Sequence, residues 1–258
     1  MRLEAALRER RDAGRKLLVP YVTGGLIDGW TDVVLAFAHA GADAIEVGIP
    51  FSDPAMDGPT IQAASQASLT RGTTPMSILS ELRGLDCDVP LVVMTYCNVV
   101  FRMGARRFAA ELVAAGVDGT ILADVPMEEL ATWGPAAADA GIENVLLASP
   151  LTPDDRLARL CATSRGFVYG VNLLGVTGER ASLSASSAVL AKRLKAATDK
   201  PVLMGFGVAT PAQAVEAAAA ADGVVVASVL MRILLDGGSP EAAAAHVRTL
   251  RDALDRSS

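Results

Sequence analysis

Short, continuous apolar runs alternate along the chain with longer stretches whose apolar residues recur at helical spacing. Eight runs read as strands: Leu17–Thr23, Ala44–Gly48, Pro90–Thr95, Gly119–Ala123, Glu143–Ala148, Phe167–Val171, Pro201–Gly205 and Gly223–Ala227. They are apolar at consecutive positions rather than at every second one, as parallel strands covered on both faces should be. Helical patterns fall between them at Gly29–Ala40, Thr60–Arg71, Ser77–Leu85, Ala105–Ala115, Glu128–Ala140, Asp154–Ser164, Ser186–Thr198, Pro211–Ala220 and Pro240–Asp255. A short helix over Arg2–Ala13 precedes the first strand, and Ala227-Ser228 opens another after the last.

Local punctuation agrees with this phase. Pro90 and Pro201 stand at strand entries, where a missing N–H is tolerated. Thr152-Pro153 and Thr210-Pro211 open helices with proline in the first turn. The repeats Ala40–Asp43, Ala115–Asp118 and Ala140–Glu143 each stop a helix with glycine and launch a strand. At about 30 residues per β–α unit, eight units fill residues 1–258. The expected fold is therefore α/β, a single (β/α)₈ TIM barrel with short extra helices; a doubly wound open sheet is the second possibility. In a barrel the reactive face lies just after the strand ends.

Composition narrows the chemistry. A net charge of −6 argues against binding a phosphate backbone. No apolar run approaches the ~18 residues of a membrane span, and the charged N-terminus lacks the apolar core of a signal peptide. Three cysteines without a C-x-x-C fit a reducing cytoplasm. Two histidines, His39 and His246, are too few and too far apart for a histidine-built metal site. None of the lysines (Lys16, Lys192, Lys195, Lys200) follows a strand, where a Schiff-base lysine would stand.

Within the second strand, Ala44-Ile45-Glu46-Val47-Gly48 carries a glutamate among apolar residues. A buried carboxyl there is either an acid/base catalyst with a raised pKa or one half of a structural pair with an arginine or hydroxyl. The following loop holds Ser52, Asp53 and Asp57 between Pro50, Pro54 and Pro59. Asp53 reads as a turn residue, whereas Asp57 is either a second acid/base group or a helix cap. Asp124, after the fourth strand, reads as a loop carboxylate accepting backbone N–H groups. Glycine-rich stretches follow the sixth and seventh strands, at Gly175–Gly178 and Gly205–Gly207, and a helix opens at Ser228 after the eighth. Barrels often hold a phosphate there with backbone N–H groups. Tyr21, Tyr96, Ile121, Tyr169 and Phe206 stand at strand ends and either border a flat hydrophobic ligand or belong to the core.

Taken together, these segments resemble the tryptophan synthase α-subunit family over essentially the whole chain. The resemblance rests on Tyr21-Val-Thr23, on Glu46-x-Gly-Ile-Pro-Phe-Ser-Asp-Pro-x-x-Asp57-Gly-Pro-Thr-Ile-Gln62, on Met94-Thr-Tyr-x-Asn98, on Ala123-Asp-Val-Pro126, and on the two glycine motifs. It implies a TIM barrel that cleaves indole-3-glycerol phosphate to indole and glyceraldehyde 3-phosphate without metal or organic cofactor. It further implies a cytoplasmic α₂β₂ assembly with a pyridoxal-phosphate-dependent β subunit that receives the indole. Glu46 and Asp57 match the family's catalytic carboxylates and Tyr169 an active-site tyrosine. Thr177 matches a mobile-loop threonine that can latch onto Asp57, and Gly178, Gly207 and Ser228 match phosphate-binding positions. The chain departs from the family pattern at Gly25-Leu26-Ile27, at Ala55-Met56, at Asn172 and at Ala227. The second departure lies in the loop that meets the β subunit in the family. A stand-alone lyase releasing free indole and another phosphate-binding barrel isomerase are the alternative functions.

Overall fold

The structure, a computed structural model, describes residues 3–171, 180–205 and 207–257. Its elements follow in the order α1 (Leu3–Asp12), β1 (Leu17–Thr23), α2 (Trp30–His39), β2 (Ile45–Gly48), α3 (Pro59–Thr70), α4 (Pro75–Leu82), β3 (Leu91–Thr95), α5 (Cys97–Met103), α6 (Ala105–Ala114), β4 (Gly119–Leu122), α7 (Trp133–Ala140), β5 (Glu143–Ala148), α8 (Asp154–Thr163), β6 (Val168–Val171), α9 (Arg180–Ala197), β7 (Val202–Gly205), α10 (Pro211–Ala219), β8 (Gly223–Val226), α11 (Ser228–Leu235) and α12 (Pro240–Arg256). The strands run parallel in chain order and close, because β1 pairs with β2 on one side and with β8 on the other. The open sheet is thereby excluded. Among the described residues no helix is long and apolar enough to cross a membrane.

Two shells of apolar residues hold the barrel, as the consecutive apolar strand positions require. Outward-facing residues such as Leu18, Val22, Ile45, Val47 and Val93 pack against the helices. Inward-facing Leu17, Val19, Val92, Ile121, Val145, Phe167, Leu203 and Val225 fill the interior. Leu3 and Leu7 of α1, both wholly buried, join the inner shell and stopper the N-terminal end. That end also carries a buried ion cluster. Asp43 accepts hydrogen bonds from the Leu18 N–H at 2.8 Å, from Arg15 at 2.8 Å and from Arg251 of α12 at 3.1 Å. The opposite end carries the C-termini of the strands and the loops that follow them.

The helix-ending glycines behave as read: Gly41, Gly116 and Gly141 have φ of +96°, +72° and +77°. The helices depart from the sequence pattern most clearly in four places. The helix expected over Ser77–Leu85 starts at Pro75, because Thr74 and Ser77 form a reciprocal capping box. The stretch Glu128–Ala140 is broken into a 3₁₀ turn at Met127–Glu129 and α7. Pro135 explains the break: its missing N–H is tolerated only in a first turn, which is where the restarted helix puts it. Helix α9 begins at Arg180 rather than Ser186, in a serine- and alanine-rich stretch with no apolar period. Helix α5 has no counterpart in the helical pattern of the sequence. The N–H of its first residue, Cys97, donates at 2.8 Å to the carboxylate of Asp124, a partner 27 residues away in sequence.

Candidate active site

Glu46 is the second residue of β2, in register with Tyr21 of β1 and Val92 of β3. Alternation along the strand turns it inward with Val92. It is 2% exposed, and its Oε2 has no hydrogen-bond partner. Among the described residues its Oε2 meets neither an arginine nor a hydroxyl, which speaks against a structural pair at that atom. Burial pushes its carboxyl up to about 8, with the nearby Asp57 charge adding to the rise. Near neutral pH, Glu46 is therefore mainly protonated.

Asp57 sits in the loop between β2 and α3, half-buried. A turn places it: its N–H donates to the Pro54 carbonyl at 3.0 Å, and its carbonyl accepts from the Gln62 side chain at 2.9 Å. It does not cap α3, whose N-cap is Gly58 with no side-chain cap bond. Burial raises its carboxyl to about 6, while the Tyr96 hydroxyl, bonding the ionised form, draws it down. Between pH 6 and 8 the two carboxyls thus divide into a neutral acid and an anion. The neighbouring Asp53 keeps the turn role, accepting from the Ser52 hydroxyl at 2.6 Å. Asp124 is likewise structural, holding the α5 terminus.

Three tyrosines border the carboxyls. Tyr96 precedes α5, stacks on Phe51 at 4.8 Å between ring centroids, and accepts the Met56 N–H at 3.2 Å. Tyr21 is buried and accepts from the Thr23 hydroxyl at 3.1 Å. Tyr169 of β6 is 9% exposed and feels the charges of both Glu46 and Asp57. Burial pushes all three phenols well above their ordinary value. Space for two of the rings comes from glycine on the adjoining strand. A Cβ on Gly48 would lie 1.9 Å from the Tyr21 hydroxyl oxygen, and one on Gly205 2.5 Å from the Tyr169 ring. Glycine is needed there for close approach rather than for a turn.

Ile121 lies wholly buried in the inner shell with Val92, Val145 and Tyr169. Gly207 and Ser228 are exposed after the paired strands β7 and β8. Gly207 has φ of +62°, and α11 starts at Ser228 with no side-chain cap from Ala227. Asn172, Thr177, Gly178 and Phe206 lie outside the described residues. Sequence reasoning missed Phe51 and Thr23 as partners of the tyrosines. An aromatic residue in the loop directly after β2 was the available signal for the first. Among the described residues, no three His, Cys, Asp or Glu side chains gather as a metal-holding group. A cavity of about 620 Å³ at the opposite end is lined by Glu4, Arg8, Arg165 and Lys200 among others. Its charges are engaged: Lys200 caps the α8 carbonyls of Cys161, Ala162 and Ser164, and Arg8 pairs with Glu4 and Asp199.

Known proteins resemble this chain over nearly its whole length. The family model described as tryptophan synthase alpha chain matches residues 7–256. The tryptophan synthase alpha chain of Xanthomonas euvesicatoria pv. vesicatoria is 41% identical, covering 99% of both chains. That of Thermobifida fusca is 41% identical, covering 95% of this chain and 93% of its own. Among solved structures, a tryptophan synthase chain from Mycobacterium tuberculosis superposes with a TM-score of 0.90 at 36% identity, covering 98% of each chain. The tryptophan synthase alpha subunit of Legionella pneumophila superposes with a TM-score of 0.89 at 30% identity, again over 98% of each. With a family match over nearly its full length and the same closed barrel, the chain belongs to the tryptophan synthase alpha chain family.

Proposed function

We propose that Glu46 and Asp57 carry out the retro-aldol cleavage of indole-3-glycerol phosphate, with Glu46 as the proton shuttle and Asp57 as the anion that steadies the indole nitrogen. The alpha-subunit role in tryptophan biosynthesis, a lyase's role, comes with family membership. The observation that carries the residue assignment is the pair itself: a buried carboxyl with an unpartnered Oε2, raised to about 8, beside a half-buried one at about 6, at the C-terminal mouth of the barrel.

Indole becomes a leaving group only when its C3 is protonated. Neutral Glu46 donates that proton, giving an indolenine whose nitrogen bears the positive charge. Asp57 accepts the hydrogen bond of that N–H and stabilises the charge as it develops. The Glu46 carboxylate then takes the proton of the C3′ hydroxyl. The C3–C3′ bond breaks, its electron pair returns to the ring, and indole and glyceraldehyde 3-phosphate separate. Glu46 ends protonated, so the cycle consumes no external acid. Tyr21, Tyr96, Tyr169, Ile121 and Phe206 supply an apolar enclosure for the indole ring. Gly178, Gly207 and the α11 terminus at Ser228 take the phosphate on backbone N–H groups, which anchors the substrate away from the reacting bond. The resemblance gives Thr177 the role of a latch towards Asp57.

The barrel of residues 1–258 acts as one domain in the cytoplasm, and a pyridoxal-phosphate-dependent β subunit in an α₂β₂ tetramer receives the indole. Incubating the protein with indole-3-glycerol phosphate, with and without a β subunit, tests this. Indole release that rises with the β subunit is expected; no indole in either case overturns the reading.

A further inference from the structure

His246 sits on α12, outside the barrel, and plays no part in the chemistry above. Its Nε2 nevertheless lies 3.0 Å from the carbonyl oxygen of Ala209. Ala209 belongs to the short segment, 206–210, that joins β7 to α10 and includes Gly207. A backbone carbonyl can only accept, so His246 is the donor. Both the Nε2–H tautomer and the imidazolium carry that proton.

The same segment is held from its other side. Gln213 Oε1 accepts the N–H of Ala209 at 3.0 Å and that of Thr210 at 3.1 Å. The Thr210 hydroxyl in turn accepts the Gln213 N–H at 3.3 Å. Val208 is buried at 4% exposure. Ala209 is thus fixed through its N–H from α10 and through its carbonyl from α12. Gly207, two residues earlier, is exposed with φ of +62° and has nothing against its Cα face. Without outside bracing such a glycine would lose more freedom on binding a ligand than any other residue. Bracing the peptide next to it removes part of that loss before the ligand arrives.

We infer that His246 is a positioning residue for anion binding: through the Ala209 carbonyl it sets the backbone at Gly207 to receive the substrate's phosphate. This rests on the proposal that Gly207 contacts phosphate. Small displacements far from the reacting atoms are enough to lower affinity or rate.

The test titrates the full-length protein with glycerol 3-phosphate and measures KM and kcat for indole-3-glycerol phosphate. His246→Ala should weaken glycerol 3-phosphate and raise KM about threefold to tenfold, the worth of one net hydrogen bond. Its kcat should stay within about twofold, since the bond serves binding in ground and transition states alike. His246→Gln, whose amide nitrogen falls at the Nε2 position, should restore both constants. His246→Asn, whose amide nitrogen falls at Nδ1, should not. Gly207→Asp serves as the control for the phosphate site. If Gly207→Asp abolishes binding while His246→Ala binds as wild type, the inference is overturned and the phosphate site stands. Equal behaviour of the Gln and Asn variants also overturns it, because packing alone would then be at work. If Gly207→Asp itself binds normally, the phosphate assignment fails and the inference fails with it.

Discussion

Replacing Glu46 with glutamine should destroy activity and stabilise the protein at the same time, and the second effect should depend on pH. The side chain is 2% exposed and its Oε2 has no partner, so ionisation inside the barrel has little to offset it. An ordinary glutamate titrates at 4.5; this one is raised to about 8. The folded state therefore holds a proton that the unfolded state has already released. Because the folded value lies above the unfolded one, stability is complete below pH 4.5 and falls as pH rises towards 8. Above pH 8 the full penalty is present, about 5 kcal/mol at ~1.4 kcal/mol for each tenfold change in proton affinity. Glutamine fills nearly the same volume and has no proton to lose. Urea unfolding of both proteins from pH 4 to pH 9 should show similar stabilities at the acid end and a growing advantage for Glu46→Gln through neutrality. Turnover of the variant should fall at least about a hundredfold, the lower range for a general acid–base group. A stability difference that stays constant between pH 5 and pH 8.5 would refute the desolvation argument. Turnover above about one hundredth of wild type would refute the catalytic one.

Tyr96→Phe removes the hydroxyl that bonds Asp57 and the Met56 N–H. Asp57 should then titrate higher, so kcat/KM should fall about threefold to tenfold at pH 6 and much less at pH 8; an equal loss at both values contradicts the assignment. Gly48→Ala puts a Cβ 1.9 Å from the Tyr21 hydroxyl oxygen and should cost about 1–3 kcal/mol in urea unfolding. A cost below about 0.5 kcal/mol would mean that Tyr21 moves freely. Arg251→Ala leaves Asp43, whose side chain is 1% exposed, with Arg15 and the Leu18 N–H among its remaining partners and should destabilise by about 1–3 kcal/mol, with kcat unchanged once folded. A drop in kcat with stability intact would contradict a purely structural role at that end of the barrel.

The barrel was legible because its strands are buried on both faces and announce themselves as continuous apolar runs, each cut from the preceding helix by a glycine or proline. Glu46 was legible for the converse reason, as a charge inside such a run. Its two readings differ only in what stands beside it in space, and among the described residues its Oε2 has neither an arginine nor a hydroxyl as partner. Asp57 was open between capping and chemistry until the α3 terminus proved to be served by Gly58. Contacts between distant parts of the chain left no local trace. Asp124 creates the start of α5 from 27 residues away, and Gly48 makes room for Tyr21 across a strand pair. The break before α7 was written in Pro135, but the amphipathic pattern on either side of it runs on without interruption. The hydrogen bond from His246 to Ala209 joins residues 37 apart and has no sequence signature.

The cleavage depends most on Glu46 being a neutral acid under working conditions. Carbon-13 labelling of glutamate side chains, with the Glu46 signal assigned by its loss in Glu46→Gln, allows its carboxyl to be titrated directly by NMR in the intact protein. A midpoint near 8 is predicted. A midpoint at or below about 5, in the range of an ordinary solvated glutamate, would contradict it and leave C3 of the indole without its proton donor.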